Sequence, residues 1–183
     1  MKIKGLEFTE FISEGDIKRK VRSLAADINA YYDGRVPVLL PVLNGSFMFA
    51  ADLLRHITVE CRISFVKVSS YEGTTSSGQH RTLIGLDESL FNQDILIVED
   101  IVDTGLTLQK IVSELRSLGA KSVEVASLLR KEPARVKETP VRFVGFDIGN
   151  EFVLGYGLDY DGLGRNHPVL FRAVKSDNKR DGT

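Results

Sequence analysis

The sequence predicts an α/β fold in which a mainly parallel central sheet carries helices on both faces. Three observations predict it. Short apolar runs rich in β-branched residues, Ile95-Leu96-Ile97-Val98 the cleanest, have the composition of central strands covered on both sides. Stretches with apolar residues at helical spacing lie between those runs, and such alternation gives parallel strands joined by right-handed crossovers. Acidic, glycine and threonine residues follow directly on the apolar runs, at the carboxyl ends where open α/β sheets bind ligands.

Ser13 with Asp16 three residues on marks a helix start, and Ile17, Val21, Leu24, Ile28 and Tyr31 define one helical face that Gly34 stops. Val36 to Leu43 reads as a buried strand, after which Asn44-Gly45-Ser46 turns the chain into a helix with Phe49, Ala50, Leu53 and Leu54 on its apolar face. A strand over Arg62 to Ser70 follows. Residues 72 to 80, EGTTSSGQH, hold too little apolar content to pack and read as a mobile loop, a plausible lid. Beyond Ile95 to Val98, the positions Leu108, Ile111, Val112, Leu115 and Leu118 predict a helix. Ser122 to Leu129 and Val141 to Phe146 read as further strands across a polar, Pro-bounded connection, Phe152 to Tyr156 as a small strand outside the main sheet, and Ser176 to Thr183 as a frayed tail.

A chain of 183 residues, 43% apolar and 27% charged, fits one soluble domain, with neither internal repeat nor linker. Lys+Arg 24 against Asp+Glu 25 leave a net charge of -1, which argues against a nucleic-acid partner. Cys61 stands alone, so no internal disulfide forms and a reducing cytoplasm is expected. The N-terminus MKIKGLEFTEF lacks the apolar core of a signal peptide, and no run approaches membrane-spanning length. His56, His80 and His167 show no metal-ligand spacing.

The chemistry concentrates after Val98. Glu99 and Asp100 stand at the end of the predicted strand, and Asp103-Thr104-Gly105-Leu106-Thr107 supplies hydroxyls, a close backbone approach and unpaired N–H groups at a helix start, the elements of a phosphate cradle. An ordinary phosphate cradle avoids acids. Paired carboxylates suit the two hydroxyls of a ribose and a developing positive charge on its ring, so the implied ligand is a ribose 5-phosphate.

The arrangement Glu99-Asp100-x-x-Asp103-Thr104-Gly105-x-Thr107 resembles the ribose-phosphate signature of the type I phosphoribosyltransferases. Together with Val42-Leu43-Asn44-Gly45-Ser46, Ser70-Tyr71, Ala126 to Lys131 and Phe152 to Tyr160, it is similar to the hypoxanthine(-guanine) phosphoribosyltransferases over nearly everything from Val36 to Arg165. The resemblance implies the type I phosphoribosyltransferase fold, with a base-binding hood formed by N-terminal residues and roughly 150–175. It implies transfer of the 5-phosphoribosyl group from 5-phosphoribosyl 1-diphosphate to a purine base, with Mg2+ as cofactor and a homodimer or homotetramer as the assembly.

The resemblance carries roles residue by residue. Asp103 matches the catalytic residue beside N7 of the base, and Asp103 to Thr107 match the 5′-phosphate loop. Glu99 and Asp100 match the acids on the ribose and metal side. Leu43, Asn44 and Gly45 match the pyrophosphate loop, whose cis peptide falls between Leu43 and Asn44, and Arg165 matches a pyrophosphate ligand. Lys131 matches the donor to the 6-oxo group, Phe152 the ring that stacks on the base, Val153 a backbone contact to its edge, and Asp159 a carboxylate near a second magnesium. Ser70-Tyr71 matches the start of a closing loop. Asn44 stands where several relatives carry a basic residue, and the segment Asn166-His167-Pro168 is shorter than in some of them.

Each residue also has a plainer reading. Taken alone, Asp103 is as well read as a helix cap, Lys131 as a solvated lysine beside Arg130, Phe152 as a core aromatic, Tyr71 as strand-edge packing, and Asp159 and Arg165 as surface charges. Dinucleotide and P-loop folds are argued against by Gly155-Tyr156-Gly157 without the required third glycine and by the absence of GxxxxGK[ST]. The competing function is a regulatory protein that senses phosphoribosyl diphosphate in this pocket and binds nucleic acid elsewhere.

Overall fold

The computed structural model of the protein describes residues 1–69, 81–84, 86, 88–131 and 140–174. Two sheets organise them. Strands β3 (Val38–Leu43), β4 (Arg62–Ile63), β5 (Val66–Ser69), β6 (Arg81–Ile84), β7 (Asp94–Val102), β8 (Ser122–Lys131) and β9 (Phe143–Ile148) form a seven-stranded sheet in the order β6-β5-β3-β7-β8-β9, with β4 paired to β3. Every pairing is parallel except that of β5 with β6. The second sheet is antiparallel, in the order β1 (Lys2–Ile3), β2 (Leu6–Ile12), β11 (Leu170–Ala173), β10 (Val153–Leu154).

Helices cover both faces of the larger sheet, as its two-sided apolar strands require. On one face α1 (Glu14–Tyr31) and α2 (Phe47–Leu54) pack Ile17, Val21, Leu24, Ile28, Phe49 and Leu53 against Leu39, Leu96, Val98 and Leu128. On the other, α3 (Leu106–Ser117) packs Leu108, Ile111, Val112 and Leu115 against Val38, Leu40, Val42, Ile95, Ile97 and Val125. Ile95 to Val98 thus alternate between two cores, all fully buried, which is why no polar position interrupts the run. Ser13 caps α1 by accepting the Asp16 amide at 3.1 Å.

Several sequence boundaries are corrected. Helical periodicity placed Tyr31 on the buried face of α1, but the helix ends there and Tyr32 is the fully buried ring, its neighbour lying between the guanidinium groups of Arg35 and Arg142. The strand predicted over Arg62 to Ser70 is split into β4 and β5. Ser64 donates to the Leu39 carbonyl at 3.0 Å, but the next residue of β3 in that phase, Pro41, has no N–H to continue the ladder. The predicted Val36 to Leu43 strand starts at Val38; β8 runs on to Lys131; β9 lies two residues later than Val141 to Phe146, in register with Ala126 and Ser127 of β8. The N-terminal strands were not predicted. In β2 only Phe8 and Ile12 are buried, while Leu6 and Glu10 in the same two-residue phase are exposed, so the period that marks a strand is hidden. Among the described residues, no helix is long and apolar enough to cross a membrane.

Candidate active site

The carboxyl ends of β3, β7 and β8 meet at one rim of the large sheet, and the small sheet with the loop after β10 stands over it. The Leu43-Asn44 peptide that ends β3 is cis. The chain then turns through Gly45 and the buried Ser46, whose hydroxyl donates to the Val42 carbonyl at 2.7 Å, into α2. Gly45 lies directly against the end of β7: a Cβ there would overlap Oδ2 of Asp100 and sit 2.5 Å from its Cγ. On the far side of Gly45 runs Gly157, at φ +103, where a Cβ would overlap the Gly45 carbonyl oxygen and lie 3.2 Å from its carbon. Asp100, Gly45 and Gly157 are therefore stacked with no room for a side chain between them.

The acids at the end of β7, Glu99 and Asp100, are half-buried. Oε2 of Glu99 has no hydrogen-bond partner, and burial, with Asp100 beside it, holds its carboxyl well above the usual carboxylate range. Burial also pushes Asp100 up to about 6, against the pull of the Ile101 amide, which donates to Oδ1 at 2.8 Å, and of the Arg165 charge. A carboxyl whose folded pKa exceeds its unfolded value near 4 keeps its stabilising contribution below the lower value and loses it as pH rises through the higher one. In metal-free protein Asp100 is therefore expected to withdraw roughly 2 kcal/mol of stability between about pH 4 and pH 6. Urea unfolding at pH 4, 5, 6 and 7 measures this; Asp100→Asn should show a shallower slope, and an unchanged slope would contradict the assignment.

Beyond β7 the chain turns through Gly105, in the left-handed region at φ 74, into α3. Gly105, at the N-cap, has no side chain to offer this helix start. The Leu106 amide lies 3.5 Å from Oγ1 of Thr104, and Leu106 itself is exposed. Asp103 instead turns across to β8, where its Oδ2 accepts from Nζ of Lys131 at 2.9 Å. The lysine side chain is 14% exposed and the aspartate 59%, so Lys131 is no solvated surface residue. Phe152 is 46% exposed, a large value for a ring beside a strand, and it is held edge-on by Tyr160 at 5.4 Å and flanked by Phe8 at 6.2 Å. Val153 is buried and paired with Arg172.

Asp159 and Arg165 face one another, Oδ1 to Nη2 at 2.5 Å. Asp159 also accepts the Gly162 amide at 2.7 Å, and Arg165 donates to the Gly157 carbonyl at 2.7 Å. The structure thus brings Leu43, Asn44, Gly45, Glu99, Asp100, Asp103 to Thr107, Lys131, Phe152, Val153, Asp159 and Arg165 to the rim and the segment standing over it. Ser70 and Tyr71 lie outside the described residues.

A family model described as the phosphoribosyl transferase domain matches residues 10–161. The hypoxanthine-guanine phosphoribosyltransferase of Bacillus subtilis is 42% identical over 160 residues, 87% of this chain and 89% of that protein. The chain belongs to the phosphoribosyltransferase family, in its hypoxanthine-guanine branch. A hypoxanthine phosphoribosyltransferase from Staphylococcus aureus, known from its crystal structure, superposes with a TM-score of 0.84 at 38% identity, covering 92% of both chains. The family also occurs fused: a bifunctional TilS/HprT protein of Listeria monocytogenes is 40% identical over 160 residues, of whose length this chain spans 25%. The small antiparallel sheet is the hood of the phosphoribosyltransferase fold.

Reading the sequence missed what holds the hood in place. Phe8 and Tyr160 support Phe152, and Tyr156, flanked by Gly155 and Gly157, donates to Asp52 of α2 at 2.7 Å. The Gly-Tyr-Gly run was the available signal. It is read in the sequence as an incomplete dinucleotide motif and as part of the Phe152 to Tyr160 resemblance, whereas in the fold all three residues have positive φ and the two glycines approach other backbone closely.

Proposed function

We propose that the protein is a purine-salvage enzyme that transfers the 5-phosphoribosyl group of 5-phosphoribosyl 1-diphosphate to N9 of hypoxanthine, and of guanine, releasing pyrophosphate and giving IMP or GMP. The observation that carries this reading is the half-buried Glu99-Asp100 pair, one acid with an unpartnered oxygen, set beside the glycine-led start of α3 and the Lys131-Asp103 pair. Main-chain N–H groups of residues 103–107 receive the 5′-phosphate, since the first amides of α3 have no partner within the helix. Glu99 and Asp100 accept hydrogen bonds from the ribose hydroxyls and stabilise the anomeric carbon as its bond to the diphosphate breaks.

The N9 bond to that carbon forms as the other breaks, and Asp103 takes the proton that leaves N7. Lys131 donates to the 6-oxo oxygen; adenine would meet it donor to donor. Phe152 stacks on the base and Val153 contacts its edge through main-chain groups. The Leu43-Asn44-Gly45 backbone and Arg165 hold the diphosphate, the arginine by its planar fork. The hood and sheet act as one domain.

Magnesium fits this donor set. Among the described residues no three acidic, histidine or cysteine side chains gather into a cage, but an ion that keeps its waters and takes substrate phosphates needs only one or two carboxylates. Glu99 and Asp100 would hold one such ion and Asp159 a second, and magnesium there would neutralise charge on the leaving diphosphate.

Incubation with 5-phosphoribosyl 1-diphosphate, Mg2+ and separate hypoxanthine, guanine, xanthine and adenine tests the proposal. IMP should form, with adenine converted about 10²-fold more slowly or worse. A protein that bound the diphosphate and made no nucleotide would be the sensor instead.

A further inference from the structure

Tyr156 is 3% exposed, yet it belongs to a hood segment otherwise built for close backbone approach. Its hydroxyl donates to Oδ2 of Asp52 at 2.7 Å, and Oδ1 of the same carboxylate is held by Arg55 at 2.6 Å. Asp52 sits on α2, the helix entered directly from the Leu43-Asn44-Gly45 turn. One residue beyond Tyr156, Gly157 packs on the Gly45 carbonyl, receives Arg165 on its own carbonyl at 2.7 Å and donates its amide to the Arg165 carbonyl at 2.9 Å. The Tyr156 amide donates to the His167 carbonyl at 2.8 Å, fixing the returning strand of the same loop. A single side-chain hydrogen bond therefore ties the helix behind the turn to the segment that carries Asp159 and Arg165.

We propose that Tyr156, through Asp52, is a positioning residue that sets the gap between the Leu43–Gly45 turn and the Arg165-Asp159 pair, and thereby the affinity for the diphosphate end of the substrate. It touches neither substrate. The base site is built on Lys131, Phe152 and Val153, none of which is hydrogen-bonded to the Tyr156 hydroxyl or to Asp52. Loosening the tie should act on one substrate and spare the other. This inference rests on the transfer reaction proposed above.

Tyr156→Phe keeps the ring and removes the donor; Asp52→Leu removes the acceptor; Asp52→Asn retains an acceptor oxygen. KM for 5-phosphoribosyl 1-diphosphate should rise about fivefold to tenfold in Tyr156→Phe and Asp52→Leu, with KM for hypoxanthine within about twofold of wild type. Asp52→Asn should stay close to wild type, and the double variant should be no worse than the single ones. Should Asp52→Leu fail to fold, Tyr156→Phe against Asp52→Asn still decides. Wild-type KM for both substrates in Tyr156→Phe, or both constants rising together, would overturn the inference. Calorimetric titration of Mg2+-pyrophosphate into the same variants separates the two claims: absence of nucleotide formation by wild type defeats the reaction, whereas unchanged pyrophosphate affinity in Tyr156→Phe defeats the positioning role.

Discussion

Asp103→Asn is expected to slow formation of IMP by about 10²–10⁴-fold while leaving KM for both substrates within a few-fold, because the asparagine fills the same space but cannot accept a proton from N7. The geometry sharpens this expectation. Asp103 faces Lys131 at 2.9 Å, so the group proposed to take the proton and the group proposed to read the 6-oxo oxygen stand side by side. Were Asp103 only a partner that steadies Lys131, its neutralisation would disturb the lysine and raise KM for hypoxanthine more than it lowered kcat. Steady-state kinetics separate the two outcomes, and wild-type turnover in Asp103→Asn would remove the residue from the chemistry.

Gly45→Ala is expected to lower kcat/KM for 5-phosphoribosyl 1-diphosphate by about 10²-fold, the cost of misplacing reacting groups by roughly an ångström. The added methyl would occupy the place of the Asp100 carboxylate. That carboxylate is half-buried and holds the Ile101 amide at 2.8 Å, which limits its freedom to withdraw, and the turn is itself packed against Gly157. Nucleotide synthesis at wild-type rate by a folded Gly45→Ala protein, its fold checked by circular dichroism, would contradict the stacked arrangement.

Most of the large sheet was legible in the chain because its strands are buried on both faces and its helices present an apolar stripe; Ile95 to Val98 and Leu108 to Leu115 could hardly be read otherwise. The place of Glu99, Asp100 and Asp103 to Thr107, at the end of β7 and the start of α3, was legible too, since these residues are nearly contiguous and follow an apolar strand. The hood was harder to read. Its strands are two to seven residues long, come from opposite ends of the chain and are broken by a register shift, so no window of sequence holds its pattern. The pairs Lys131-Asp103 and Asp159-Arg165 were predicted as separate ligands. Their contact depends on how β7, β8 and the hood loop are brought together, which spacing along the chain does not encode.

The most direct measurement of the central claim is a crystal structure of the protein with IMP bound. The 5′-phosphate should accept hydrogen bonds from the main-chain amides of residues 103–107, the ribose hydroxyls should lie on Glu99 and Asp100, and the purine should cover the exposed face of Phe152 with its 6-oxo oxygen on Nζ of Lys131. A nucleotide bound away from the carboxyl end of β7, or one whose phosphate met the hood and whose base met the helix start of α3, would contradict the account.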